Sequence, residues 1–312
     1  MIDDSIPTST SQVPPTENKR PFLNSDLDTA GKDIFGFMRK HYPVAFPMFI
    51  IACILFVGAF FTMMTGASFL PVSPSSPIAI RVVVAIMLYV SVMASGIYAL
   101  GFYIIARMSI SKDFAKRFAA VMGYAFSDSA PFSSVSGDIF TFGFGSYHQI
   151  YDVVSGTYRN HPVRIFEYQF SGAGENEPMH YYTVLELQFA HPLPKIRMVK
   201  TATDLEDMAT LSRAIDVHPS CPMKISLESD FDEYFSIYVP PNTQTEGLAI
   251  MTPDLMALLI DHYDEYRNIG LECHDEKLYL HALGRFSDKK IKDFAALYSL
   301  ADALIPKLDE AG

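Results

Sequence analysis

The chain has 312 residues, 49% of them hydrophobic and 19% charged, with a formal charge of -11 and no Trp. That length suits one large domain or two smaller ones, and the apolar content excludes wholesale disorder. Only Cys53, Cys221 and Cys273 are present; that excludes a small disulfide scaffold, and the acid excess excludes a chain built mainly to bind nucleic acid.

Residues 1–30 are rich in Pro, Ser, Thr and Asp and read as a disordered cytoplasmic tail. The first 20 residues hold no apolar run, so no cleaved secretory signal is expected. Residues 31–42 mix Ile34, Phe35, Phe37 and Met38 with Lys32, Arg39 and Lys40, the composition of a segment lying in a membrane interface. Between Lys40 and Arg81 there is no charged residue, and none from Val82 to Ala106. A helix over Val44–Gly66 spans roughly 34 Å, enough for a hydrocarbon core of about 30 Å. The pattern therefore predicts transmembrane helices over 43–66 and 81–107, joined by an extracytoplasmic loop over 67–80 that carries Pro71, Pro74 and Pro77. Lys32, Arg39, Lys40, Arg107, Lys112, Lys116 and Arg117 flank the outer ends, against Arg81 at the loop. Both termini are therefore expected in the cytoplasm, with the hairpin in the cytoplasmic membrane.

Gly58, Thr62 and Gly66 repeat on one face of the first span, and Ser91, Ser95 and Ala99 on the second. Small residues let helices approach closely, either within the hairpin or between copies in a homo-oligomer. Neither span contains an ionisable residue, which argues against transport by the hairpin alone. The segment 108–125 reads as a basic amphipathic stem, with Phe114, Phe118, Val121 and Met122 on one face. Two roles are open for Arg107, Lys112, Lys116 and Arg117: contact with anionic lipid headgroups, or setting topology while the helix packs on the following domain.

Residues 118–312 hold 14 Lys or Arg and 28 Asp or Glu, so the acid excess belongs to this part. Strands are expected over 151–158 and 163–170 around an Arg159-Asn160-His161-Pro162 turn, then over 180–189, 195–200, 223–227 and 234–239. A helix is expected over 204–215. Another starts at Thr252-Pro253-Asp254, with a hydroxyl cap, and runs through Leu255, Met256, Leu259 and Tyr263. A second hairpin, 268–273 with 277–283, precedes a last amphipathic helix over 288–304. Strands and helices do not alternate as βαβ units, so the fold class is α+β: a transmembrane helical hairpin, a cytoplasmic domain over 126–286, and a C-terminal helix over 287–312.

The block Tyr151-Asp152-Val153-Val154-Ser155-Gly156-Thr157-Tyr158, with Pro162–Tyr168, Tyr182–Leu187 and above all Leu248–Leu259, carries a resemblance. It resembles a family of uncharacterised bacterial membrane proteins with two N-terminal transmembrane helices and one cytoplasmic α+β domain. The resemblance covers roughly residues 40–285 and departs at Ser229, where the family often has Gly. It implies architecture and assigns no catalytic residue.

No P-loop, H-E-x-x-H or G-x-S-x-G pattern occurs. Gly143-Phe-Gly145 and Gly172-Ala-Gly174 lack the third glycine of a dinucleotide site and read as turns. Glu228, Asp230, Asp232 and Glu233 could hold a hard cation, but no ligand loop surrounds them and a solvated edge fits better. Cys273, His274 and His281 share one hairpin. Alternation sends Cys273 inward with Leu271 and points His274 and His281 out, so the three do not make a zinc site. His148, His180 and His191 are scattered among aromatic strands, and His161 reads as a turn residue.

No catalytic residue and no cofactor is therefore expected. The leading reading is a membrane-anchored module that binds a protein partner or a lipid headgroup. The others are a membrane-anchored enzyme whose site comes from scattered His and acids, and an oligomeric channel or transport accessory lined by Thr62, Ser91 or Ser95.

Overall fold

The computed structural model describes residues 38–40, 42–64, 78–140, 144–172, 179–201, 221–227, 230–286 and 291–311. Two helices come first, α1 (Ala45–Met64) and α2 (Ile78–Met122), followed by β1 (Ala125–Ala130), β2 (Phe144–Tyr158), β3 (His161–Gly172), β4 (Met179–Gln188) and β5 (Ile196–Lys200). Then come β6 (Met223–Ile225), α3 (Phe231–Tyr234), β7 (Phe235–Val239), α4 (Gln244–Ile250), α5 (Pro253–Asp261) and α6 (Tyr263–Tyr266). A hairpin of β8 (Ile269–His274) and β9 (Lys277–Leu283) leads to the last helix, α7 (Ile291–Glu310). The expected helix over 204–215 lies outside the described residues.

Among the described residues the strands form one nine-stranded sheet in the order β1-β2-β3-β4-β9-β8-β5-β7-β6. Every neighbouring pair is antiparallel, so the fold is α+β. The β8–β9 hairpin enters the sheet between β4 and β5, which joins the two halves without a parallel crossover. The β2–β3 hairpin is longer than its apolar pattern and closes more tightly. Tyr158 pairs with His161, leaving only Arg159 and Asn160 in the turn, at φ 46° and 68°. Positive φ at both positions matches the right-handed twist of the strands. His161, expected in the turn, instead opens β3 with its ring 4.5 Å from that of Phe189. Gly145 lies within β2 and Gly172 ends β3 rather than making turns; Gly143 and Gly174 are outside the described residues.

One face of the sheet carries the main core. Val163, Ile165, Leu185, Leu187, Leu278 and Leu280 pack there beneath α7, α5 and the C-terminal part of α2. On α2, Ile110, Phe114, Ala115, Phe118 and Ala119 are buried, a stripe at three- and four-residue spacing. The Phe114 and Phe118 rings lie 5.4 and 5.1 Å from Phe294 of α7. The segment expected as a separate stem and the C-terminal helix thus share one core with the sheet. A smaller cluster on the other face sits under the segment 131–140, with Phe140 edge-on to Tyr168 and Tyr279.

Thr252 occupies the N-cap of α5, but its hydroxyl makes no capping hydrogen bond, contrary to the expectation. The helix also stops at Asp261, so Tyr263 begins a separate turn. By contrast, α7 continues to Glu310 with Pro306 inside it.

The two N-terminal helices pack antiparallel. Tyr42 shares a hydrogen bond with Ser109 (3.1 Å), the Phe49 and Phe102 rings are 5.5 Å apart, and a Cβ on Gly96 would meet the Phe56 ring at 2.9 Å. The partners fall in number on one helix as they rise on the other, in steady register. Ala99 lies at this seam. Gly58 lies off it, with nothing within 4 Å of where its Cβ would be; the side chain of Thr62 and all of Gly66 are outside the described residues. Among the described residues one helix, within Tyr89–Met122, is long and apolar enough to cross a membrane, and Ala45–Gly58 is a shorter apolar helix.

Candidate functional site

The basic residues singled out on α2 sit where the apolar helix enters the domain. Lys112 pairs with Asp128 of β1 at 2.8 Å, Lys116 stands over the Phe126 ring at 5.3 Å, and Arg117 pairs with Asp113 one turn back at 2.7 Å. Partner numbers fall on β1 as they rise on α2. Four helical residues rise about 6 Å and two strand residues about 6.6 Å, so helix and strand run side by side. The side chains of Lys112 and Arg117 still expose 41% and 43% of their area, so each keeps a solvent-facing share. Of Arg107 only the backbone is described.

Beneath this surface lies a buried polar cluster. Ser111 donates to Glu167 of β3 at 3.0 Å, the backbone N–H of Phe286 donates to the same oxygen at 3.2 Å, and Arg285 approaches the other at 3.7 Å. Asp152 stands beside Ser111 and Lys112 at a β-bulge of β2, where its φ of 52° is left-handed. Asp tolerates that region better than most residues, and bulges re-aim a side chain locally. Burial raises the Asp152 carboxyl to about 6 against the help of Ser111, and raises Glu167 to about 6 against Arg285 and Ser111. The pattern gives one signal for such a group: Glu167 is the lone charge in the strand run Ile165–Gly172.

A carboxyl held above its unfolded value binds its proton more tightly in the folded state. Its contribution is full below the unfolded value and is lost as pH rises through about 6. For Glu167 the rise from 4.5 to about 6 corresponds to about 2 kcal/mol. Melting of the full-length protein in detergent should therefore fall less steeply from pH 5 to pH 7 in Glu167→Gln than in wild type. Equal slopes would mean that Glu167 ionises as an ordinary surface acid.

The opposite face of the sheet carries a second polar system. Ser155, Arg164, Glu186, Tyr279, Glu272, Arg197, Tyr238 and Lys224 are cross-strand neighbours in register from β2 to β6. Register partners share a face, so these side chains form one transverse row. Arg164 grips Glu186 with two hydrogen bonds (2.9 and 2.6 Å), and both Arg164 and Lys277 donate to the Ser134 carbonyl. The row thus holds the segment 131–140 against the sheet.

The other sets do not converge as sites. Cys273 is buried with Leu271 in the main core, and Glu272 and His274 face the other way, as alternation requires. His281 shares that second face but is buried rather than pointing to solvent, and burial lowers its pKa to about 3. Its ring covers Gly270, where a Cβ would come within 2.3 Å. Asp232 accepts from the Ser226 hydroxyl at 2.6 Å and so closes a local turn; Glu228 is outside the described residues.

No protein-family model matches the chain, and no curated protein matches it. Among solved structures it is similar to the crystal structure of the mycobacterial trehalose monomycolate transport factor A, at 12% identity and a TM-score of 0.36, over 64% of this chain and 90% of that one. At that TM-score the two chains share too little geometry for one to speak for the other.

Proposed function

We propose that this chain is an integral protein of the cytoplasmic membrane with two spans and cytoplasmic termini, and that its α+β domain is a membrane-anchored module binding anionic lipid headgroups. The observation that carries this reading is the register of the helical hairpin. Tyr42 lies level with Ser109, which brings Arg39 and Lys40 level with Lys112. Directly above that basic level the outer faces of both helices are apolar and bare: Val44 just before α1 with Met48, Ile51 and Ile54 on it, and Ile97, Leu100, Ile104 and Ile105 on α2. Exposed apolar faces of this extent ending on basic residues suit a bilayer and its headgroup layer. Because α2 is unbroken over 45 residues, roughly 67 Å, the domain sits at that layer without a flexible linker.

Full-length protein in nanodiscs of phosphatidylcholine and phosphatidylglycerol should retain phosphatidylglycerol preferentially. The triple reversal Lys112→Glu, Lys116→Glu and Arg117→Glu should reduce that preference, at about 1 kcal/mol or roughly fivefold per residue. Equal retention would remove the headgroup reading and leave the spans. In right-side-out vesicles a C-terminal tag should resist added protease, and cleavage would overturn the orientation.

A further inference from the structure

On the face of the sheet away from the main core, three side chains with metal-ligating atoms meet. Asp138 comes from the segment 131–140, and Glu272 and His274 from β8; one ligand atom of each lies within 4.8 Å of the others. We propose that Asp138, Glu272 and His274 form a binding site for a divalent transition-metal cation of the Zn²⁺ class.

The imidazole supplies the first argument. His274 Nδ1 is buried and makes no hydrogen bond, yet it points at Glu272 Oε1 (3.7 Å) and Asp138 Oδ1 (4.0 Å). A buried ring nitrogen without a partner is costly, and two carboxylate oxygens just beyond hydrogen-bond reach do not offset that cost. Ligands bound at about 2.1 Å with tetrahedral angles stand about 3.4 Å apart. The two imidazole–carboxylate separations need to close by only some tenths of an ångström, and the two carboxylates, which lie within 4.8 Å of each other, by at most about 1.4 Å, to bring all three onto one cation.

The surroundings supply the second. His274 Nε2 lies 3.4 Å from Asp275 Oδ2, the carboxylate–histidine arrangement that orients a ring toward a metal on its other nitrogen. Glu272 is fixed in turn, accepting the backbone N–H groups of Asp138 and Ile139. Gly137 allows this close approach, since a Cβ there would stand 3.2 Å from Glu272 Oε1 and 3.0 Å from the Tyr279 ring. The side chains of Asp138, His274 and Glu272 expose only 18%, 15% and 3% of their area, so this is not a solvated acidic edge. Arg197 faces Glu272 as a cation. One imidazole with carboxylates favours Zn²⁺, Mn²⁺ or Fe²⁺ over Mg²⁺ and Ca²⁺, which prefer oxygen alone.

The test uses full-length protein without a polyhistidine tag, stripped of metal and dialysed against Zn²⁺, Mn²⁺ or Mg²⁺ alone, with bound metal counted by elemental analysis. One equivalent of Zn²⁺ is expected, with Mg²⁺ bound far more weakly. His274→Gln and Asp138→Asn should each weaken Zn²⁺ by at least tenfold to a hundredfold, and Asp275→Asn by about tenfold with unchanged metal-free melting. Should His274→Gln fail to fold, Asp138→Asn carries the test, since its side chain is the most exposed of the three. Absence of stoichiometric Zn²⁺ in wild type would overturn the site. So would an affinity unchanged by Asp138→Asn, because the metal would then belong to other histidines.

Discussion

Phe118→Ala in the full-length protein is expected to cost about 3–5 kcal/mol and to lower the domain's melting temperature by roughly 10 °C. Phe118 is 2% exposed, stacks near Phe114 and lies 5.1 Å from Phe294. It therefore joins the helix that leaves the apolar hairpin to the helix that ends the chain. Removing the ring leaves a cavity that neighbours on three elements cannot collapse to fill. The comparison is Ile104→Ala on the same helix, where the side chain is 49% exposed and touches no domain core, so the domain should melt near the wild-type temperature. Detergent-solubilised protein followed by near-ultraviolet circular dichroism would decide it. If Phe118→Ala melts with Ile104→Ala, α2 is not part of the domain's core.

The same residue shows how far the sequence could be read. The spacing of Phe114 and Phe118 marks one buried helical face, and that face is buried. Spacing alone does not say what covers a face, and the partner, Phe294, lies far along the chain. The hairpins 151–170 and 268–283 were legible because their strands alternate and their turns are short and polar. β1 was not, because Ala125–Ala130 reads Ala-Phe-Ser-Asp-Ser-Ala and is held at the sheet edge by its pairing with β2 and by α2 rather than by its own apolar pattern. His281 illustrates a second limit. Alternation places it correctly on the face away from the main core, but its burial depends on Gly270 of β8 and the Tyr182 ring of β4, which only the strand register sets beside it. The buried acids were missed for the same reason. Glu167 and Glu272 look like isolated surface charges in the sequence and acquire partners only when Ser111 of α2 and Arg285-Phe286 reach Glu167 and the segment 131–140 closes over Glu272.

The transverse row also makes the second large prediction. Glu186 is 5% exposed and accepts two hydrogen bonds from Arg164, with Lys277 at 3.8 Å. Glu186→Leu should cost about 3–5 kcal/mol, because it leaves the Arg164 guanidinium desolvated beside an apolar side chain. Arg164 would keep the Ser134 carbonyl and hydroxyl and the Phe166 ring, and Lys277 the Ser134 carbonyl. A carbonyl and a hydroxyl cannot neutralise two cations, so the segment 131–140 should loosen and be cut first in limited proteolysis. The double variant Arg164→Met with Glu186→Leu removes both members of the tightest pair and fills similar volume with apolar groups. It should recover much of the loss, as replaced buried pairs often do. Denaturant titration of wild type, both single variants and the double variant completes a cycle, with an expected coupling of about 1–3 kcal/mol. A double variant as unstable as the two single losses added together would show that Arg164 and Glu186 act independently. The row would then be a set of separate surface-like contacts rather than a connected clamp on the segment that carries Asp138.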